Sequence, residues 1–113
     1  MLGKFELYRD NAGEFRFRLK ASNGNIVLAS EGYGSKTSAK KGVKSVQANC
    51  ADPAAFVRSA TEGGKYRFSL KARNNQVIGT SQNYDSEATR DAGIAAVGNA
   101  ATDAGIVDLT AAS

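Results

Sequence analysis

Histidine and tryptophan are absent from this sequence of 113 residues, and cysteine, proline and methionine occur once each. Without histidine there is no Ser–His or Cys–His nucleophile pair, no imidazole acid–base catalyst and no His ligand for zinc. An enzyme built on this chain would have to work with carboxylates, lysine or tyrosine. The lone Cys50 has no partner for an internal disulfide, which fits a reducing compartment. No apolar run approaches the roughly 18 residues of a membrane-spanning helix, and no signal peptide opens the sequence. The expectation is a cytoplasmic protein with no membrane association.

The chain has the size of one small domain and 42% apolar residues, enough for a core without metal or disulfide staples. Its net charge of +4 is unevenly placed. Residues 1–52 carry nine Lys/Arg against five Asp/Glu, whereas residues 53–113 carry six of each. A basic half points to an anionic partner, though a charge this small mainly serves solubility.

The organising feature is an internal repeat, which has to be found before any fold is assigned. Residues 14–50 align without a gap on residues 65–101, with 11 identities in 37 positions. These are Arg16/Arg67, Phe17/Phe68, Leu19/Leu70, Lys20/Lys71, Ala21/Ala72, Asn23/Asn74, Ser30/Ser81, Tyr33/Tyr84, Ser35/Ser86, Gly42/Gly93 and Val46/Val97. Exchanges such as Phe15/Tyr66 and Ile26/Val77 keep the residue class.

Each copy reads as three strands and a helix. Lys4–Arg9 begins in alternation, and Phe15–Ala21 is apolar at odd positions and basic at even ones, the period of a sheet with one buried face. Asp10–Gly13 reads as a turn. Asn23-Gly24 is a strong hairpin signal and predicts a type I′ turn, leading into a third strand from Ile26. Ser35 is placed to cap a helix whose buried stripe is Ala39, Val43, Val46 and Cys50. Lys36, Lys40, Lys41 and Lys44 lie off that stripe, and Pro53 ends the segment. In the second copy Ala55–Arg58 takes the first strand's place, with Phe56 aligned to Phe5. Lys65–Ala72 is the central strand, Asn74-Asn75 the hairpin, Gln76–Thr80 the third strand, and Ser86 the cap of a helix burying Ile94, Val97 and Ala101. A further step along the repeat aligns Val107 with Phe5 and Phe56, so Ile106–Leu109 is expected as an extra strand before a frayed Ala-Ala-Ser tail. Gly42 and Gly93, mid-helix at the same phase, each cost about 1 kcal/mol against Ala, which predicts a close approach of helix to backbone.

The strings Phe17-x-Leu-Lys-Ala-x-Asn-Gly24, Ser30-x-x-Tyr33-x-Ser35 and Gly42-Val-x-Ser-Val46, with their counterparts around Phe68, Tyr84 and Gly93, closely resemble the YegP-like family. These are small bacterial tandem-repeat proteins grouped as a domain of unknown function, and the resemblance covers about residues 3–101. It implies two β-β-β-α repeats in one antiparallel sheet with both helices against it and terminal strands exchanged between repeats. Single-repeat relatives would then build the same object as a homodimer, and the tandem chain a monomeric fused pseudo-dimer. The family brings no functional residues to carry over. Asn75 stands where the motif has Gly, and Asn also tolerates positive φ.

Several features are candidate sites. Arg16, Arg18 and Lys20 form a basic stripe, echoed by Arg67 and Lys71, which would suit nucleic acid or another polyanion. Single-strand binders also put aromatics on such a face, but Phe15, Phe17, Tyr66 and Phe68 have the opposite parity and only Tyr8 shares the cations' side. The plainer reading is a solvated face partly paired with Glu6 or Glu14. Tyr33 and Tyr84, each two residues before a capping serine, could line pockets, although an aromatic there more commonly plugs the core's corner. Gly34-Ser-Lys-Thr37 follows a strand and opens a helix without the spelling of a phosphate loop, leaving at most a weak anion site at the first helix N-terminus. Lys36 and Lys40 align with Glu87 and Asp91, a charge reversal that marks exposed positions or a pairing between molecules. Cys50 belongs to the core stripe.

No carboxylate pair suggests acid–base catalysis, and no metal or cofactor site is expected. The sequence therefore leads to a non-enzymatic binding module of one domain, with repeats at about 3–52 and 54–109 and an unidentified partner. Polyanion binding through the basic face is the competing reading.

Overall fold

A computed structural model describes residues 3–102 and 104–110. Strand β1 (Lys4–Arg9), β2 (Phe15–Lys20) and β3 (Ile26–Ala29) precede helix α1 (Lys36–Asn49). A 3-10 turn at Pro53–Ala55 leads into β4 (Phe56–Ala60), β5 (Tyr66–Lys71), β6 (Val77–Thr80), helix α2 (Glu87–Ala101) and β7 (Gly105–Asp108). The Ala-Ala-Ser tail lies outside the described residues.

All seven strands form one sheet in the order β4-β5-β6-β3-β2-β1-β7. The two copies meet at its centre, where β3 and β6 run antiparallel and Ala29 faces Thr80. Alternation puts Phe5, Leu7, Phe17, Leu19, Phe68 and Leu70 on one face, each 0% exposed. Both helices cover that face with Ala39, Val43, Val46, Cys50, Val97 and Ala101, so one core lies between two layers. The cations of β2 and β5 occupy the other face.

The caps follow the sequence. Ser35 accepts a hydrogen bond from the Ser38 amide at 3.1 Å, and Ser86 accepts one from the Thr89 amide at 3.2 Å, relieving unpaired donors of each first turn. Ile94 is half-buried against the core rather than fully covered.

Two expectations need correction and two others hold. The sheet is mixed, because β7 runs parallel to β1 with Phe5 beside Ile106 and Leu7 beside Asp108. β7 follows a helix, so it can return alongside β1 where a tight hairpin could not. One terminal strand is exchanged: β7, which ends the second copy, pairs with β1 of the first, while β1 and β4 each pair with the second strand of their own copy. The extra strand expected at Ile106–Leu109 forms as β7, Gly105–Asp108, with Val107 41% exposed. The hairpins are not type I′, since Gly24 and Asn75 alone adopt positive φ, 86° and 67°, within Asn23-Gly24 and Asn74-Asn75. The Gly24 amide donates to the Ala21 carbonyl at 2.9 Å, and the Ala21 amide to Asn25 at 2.9 Å. That is a longer loop closed by one left-handed residue, and Asn75 fills the role of Gly24 as its tolerance of αL allows.

Candidate functional site

The mid-helix glycines and the paired tyrosines explain each other. Tyr33 forms a bridge to Phe15 at the start of β2, and its ring stacks on Phe17 with centroids 6.2 Å apart. The hydroxyl end lies against Gly42, where a Cβ would fall 2.9 Å from both Tyr33 Cζ and Phe17 Cε2. Tyr84 stacks on Phe68 at 6.3 Å and lies against Gly93 in the same way. The glycines thus admit a tyrosine edge, not the sheet backbone. Burial pushes the Tyr33 phenol above its ordinary range. Both tyrosines are wedges between sheet and helix, and Tyr33 also borders a hollow of about 210 Å³ with Glu31, Gly32, Gln76, Val77 and Ile78.

On the face away from the helices, the first copy's stripe is internally matched. Arg18 donates to Glu6 at 2.7 Å and its guanidinium lies 4.7 Å from the Tyr8 ring centre. Lys20 reaches Glu6 at 3.2 Å and Lys4 reaches it at 3.8 Å. Arg16 donates to Asp10 at 2.6 Å, so its partner is Asp10 and not Glu14. Glu6 is 7% exposed, and the Arg18 hydrogen bond, with help from Lys20, holds its carboxyl below the ordinary range. Arg16 does the same for Asp10. Arg16, Arg18 and Lys20 are therefore partly covered members of a charge network, and Tyr8 is engaged by one of them.

The second copy keeps cations and loses the acids. Repeat alignment puts Val57 at the place of Glu6, Thr61 at Asp10 and Ser69 at Arg18. Arg67 and Lys71 form no ion pair among the described residues. Nor does Arg73, just beyond β5. Ser69 lies between Arg67 and Lys71 on β5, and Val57 and Ser59 oppose Ser69 and Arg67 from β4. The patch is cationic with hydroxyls and one exposed aliphatic side chain. It has no aromatic, because Phe56, Tyr66 and Phe68 face the helices and Ser59 replaces Tyr8.

The sheet edges differ as well. At the first copy's edge, β7 is held by the Leu109 amide donating to the Leu7 carbonyl at 2.8 Å and by Lys36 donating to Asp108 at 3.0 Å. Hydrogen bonds from Thr110 and then from Lys36 lower the Asp108 carboxyl to about 2. At the other edge β4 pairs with β5 alone. The charge reversal falls here: Asp91 of α2 accepts from Arg58 of β4 at 3.0 Å, and Glu87, at the place of Lys36, makes no ion pair among the described residues.

A depressed carboxylate contributes stability above its unfolded pKa and loses it as pH falls through the folded value. The β7 dock should therefore hold at pH 4 and loosen as pH falls toward 2. Asp108→Asn should loosen it at neutral pH, read as reduced hydrogen-exchange protection of Leu109. Unchanged protection in the variant would remove Asp108 as the anchor.

The remaining hollows are surface clefts. One of about 470 Å³ lies between Tyr8, Arg9, Phe15, Lys36, Leu109 and Thr110. Arg9 sits over Phe15 in it, 5.1 Å from the ring centre. Among the described residues no cluster of three metal-ligating side chains occurs and no helix is long and apolar enough to cross a membrane. Cys50 is buried on the core stripe.

Comparison with known proteins adds kinship and no activity. The chain is 55% identical over 109 residues to the UPF0339 protein in ptx operon 5'region of Stutzerimonas stutzeri, covering 96% of this chain and 98% of that one. It is 46% identical to the UPF0339 protein YegP of Escherichia coli over 97 residues, 86% of this chain and 88% of the relative. The solution NMR structure of E. coli yegP, described as a protein of unknown function, superposes with a TM-score of 0.94 at 42% identity, covering 100% of this chain and 97% of that chain. That of a UPF0339 protein from Shewanella oneidensis gives 0.93 at 42% identity, covering 99% and 95%. These relatives are bacterial, and no name among them carries an activity, substrate or partner. The sequence pattern of the family described as Domain of unknown function (DUF1508) matches residues 10–56 and again 62–108, so the chain is a tandem member of that family.

Proposed function

We propose that this chain is a non-enzymatic binding module: one domain of two β-β-β-α repeats, about 3–52 and 54–109, acting as a monomeric fused pseudo-dimer. The observation that carries this is the inequality of its halves. The first repeat has matched cations and β7 laid outside β1; the second leaves Arg67 and Lys71 unmatched on β5, with nothing outside β4. A module that needed only to fold would gain nothing from removing two counter-ions on one side. Catalysis has no comparable support, because the perturbed carboxylates are held low by hydrogen bonds and cations, Arg18 at Glu6 and Thr110 then Lys36 at Asp108, rather than raised in a dry pocket. The single Cys50 suits the cytoplasm.

Affinity capture from native lysate tests the module reading. A specific partner should be held by the wild type and by Lys40→Glu/Lys44→Glu on the exposed face of α1, and lost from Arg67→Glu/Lys71→Glu. Equal retention by both variants would overturn the assignment to the second repeat.

A further inference from the structure

We infer that the second repeat binds an extended acidic protein segment, added as a strand to the free edge of β4 with its carboxylates over Arg67 and Lys71. This rests on the binding-module reading and names the partner's chemistry. The first repeat shows what the second lacks. There, a strand carrying Glu6 lies beside the cations of β2, and a further strand, β7, covers the outer edge. In the second repeat the carboxylate has become Val57 and the covering strand has no counterpart. An incoming acidic strand takes the place of β7, about 10 Å from β5 across β4, a gap that its carboxylates and the long side chains of Arg67 and Lys71 close from both sides.

The backbone is ready for it. Leu7 turns its carbonyl outward to β7, and the Asp10 amide turns inward to Glu14 at 2.9 Å. The second repeat keeps this parity, since the Thr61 amide bonds inward to Lys65 at 2.8 Å. Arg58 and Ala60 therefore direct amides and carbonyls to the open edge, while the Phe56 amide is already taken by the Pro53 carbonyl of the preceding turn. Arg67 and Lys71, four residues apart on one strand, are spaced about 13 Å along the face. An extended segment with acids at alternate positions presents carboxylates over that span, and its backbone completes the ladder.

Two alternatives fit worse. A nucleic acid cannot join a β ladder, and this face has no aromatic for its bases. A second copy's β7 would bring Val107 to the cationic side and Asp108 toward Glu87, where the first repeat offers Lys36 to the same side chain. The charge reversal between repeats thus guards the open edge against the chain's own terminal strand.

The test uses the full chain, labelled with 15N, and three probes: a capped peptide of alternating valine and glutamate, the same peptide with lysine for glutamate, and a single-stranded oligothymidine. The glutamate peptide should shift the amides of Arg58 and Ala60 and slow their solvent exchange. Arg67→Glu/Lys71→Glu should weaken it about tenfold. Val57→Glu recreates the first repeat's internal counter-ion, so it should weaken the peptide several-fold without lowering the unfolding temperature. The proposal is overturned by equal binding of the lysine peptide, by no change at the outward amides, or by indifference to Val57→Glu. Binding of the oligothymidine in place of the peptide also overturns it while leaving the module reading intact. Loss of the module reading would instead appear as lysate capture indifferent to Arg67→Glu/Lys71→Glu.

Discussion

Gly42→Ala is expected to destabilise the protein by about 1–2 kcal/mol, although alanine is the better helix former by about 1 kcal/mol. The added methyl would stand 2.9 Å from Phe17 Cε2 and from Tyr33 Cζ, well inside van der Waals contact. Neither ring can give way cheaply. Phe17 is fully buried, Tyr33 is stacked on it at an interplanar angle of 17°, and the Tyr33 backbone is tied to Phe15 by hydrogen bonds of 2.8 and 2.7 Å. Gly93→Ala should cost a similar amount, because Phe68 Cε2 stands farther off at 3.3 Å but Tyr84 Cζ stands nearer at 2.7 Å. Urea unfolding of both variants measures this, and a Tyr33→Leu background supplies the control. With the wedge gone, Gly42→Ala should recover the helix-propensity gain and become stabilising. Stabilisation by Gly42→Ala in the intact background would show that the tyrosine does not require the glycine.

Glu6→Gln should cost about 2 kcal/mol at neutral pH, the scale for removing a mostly buried charge from hydrogen-bonded cations that stay behind. Arg18 and Lys20 are only 31% and 25% exposed at their side chains, so water compensates them incompletely. The pH dependence gives the sign. The folded-state pKa of Glu6 lies below the ordinary carboxylate value, so its contribution is complete above about pH 4.3 and fades as pH falls through the folded value. Wild type and variant should therefore differ at pH 7 and converge in acid. Denaturant unfolding at the two pH values decides this. A gap that persists unchanged in acid would mean the amide fails for shape, not charge.

Much of this was legible in the sequence. Strict alternation over Phe15–Lys20 fixes which side chains enter the core, because a strand has only two faces, and Ser35 and Ser86 announce helix starts through a local hydrogen bond. The repeat carried these readings from one copy to the other, and the family resemblance supplied the overall arrangement. What could not be read depends on neighbours distant in the chain. Parallel pairing of β7 with β1 follows from β1 having filled the place beside β2, which no local pattern records. The conformation of the Asn23-Gly24 loop depends on the offset between two strands, and dipeptide preference did not distinguish one left-handed residue from two. The glycine pair was recognised as a close approach, but the intruder proved to be a tyrosine nine residues upstream in each copy. Among the candidate side chains, Arg67 and Lys71 read from sequence as the weaker echo of Arg16, Arg18 and Lys20. Only their surroundings separate them, and the clue was present in the aligned pairs Glu6/Val57 and Asp10/Thr61.

The parallel pairing of β1 with β7 also bears on how the molecule would carry tension. Force applied at the start of β1 and the end of β7 pulls two adjacent strands along their own axes in opposite directions. The hydrogen bonds between them, together with the Lys36–Asp108 tie, are then loaded in shear and share the strain, instead of parting one at a time as in an unzipped hairpin. The edge that closes the first repeat is in this sense a clasp joining the two ends of the chain.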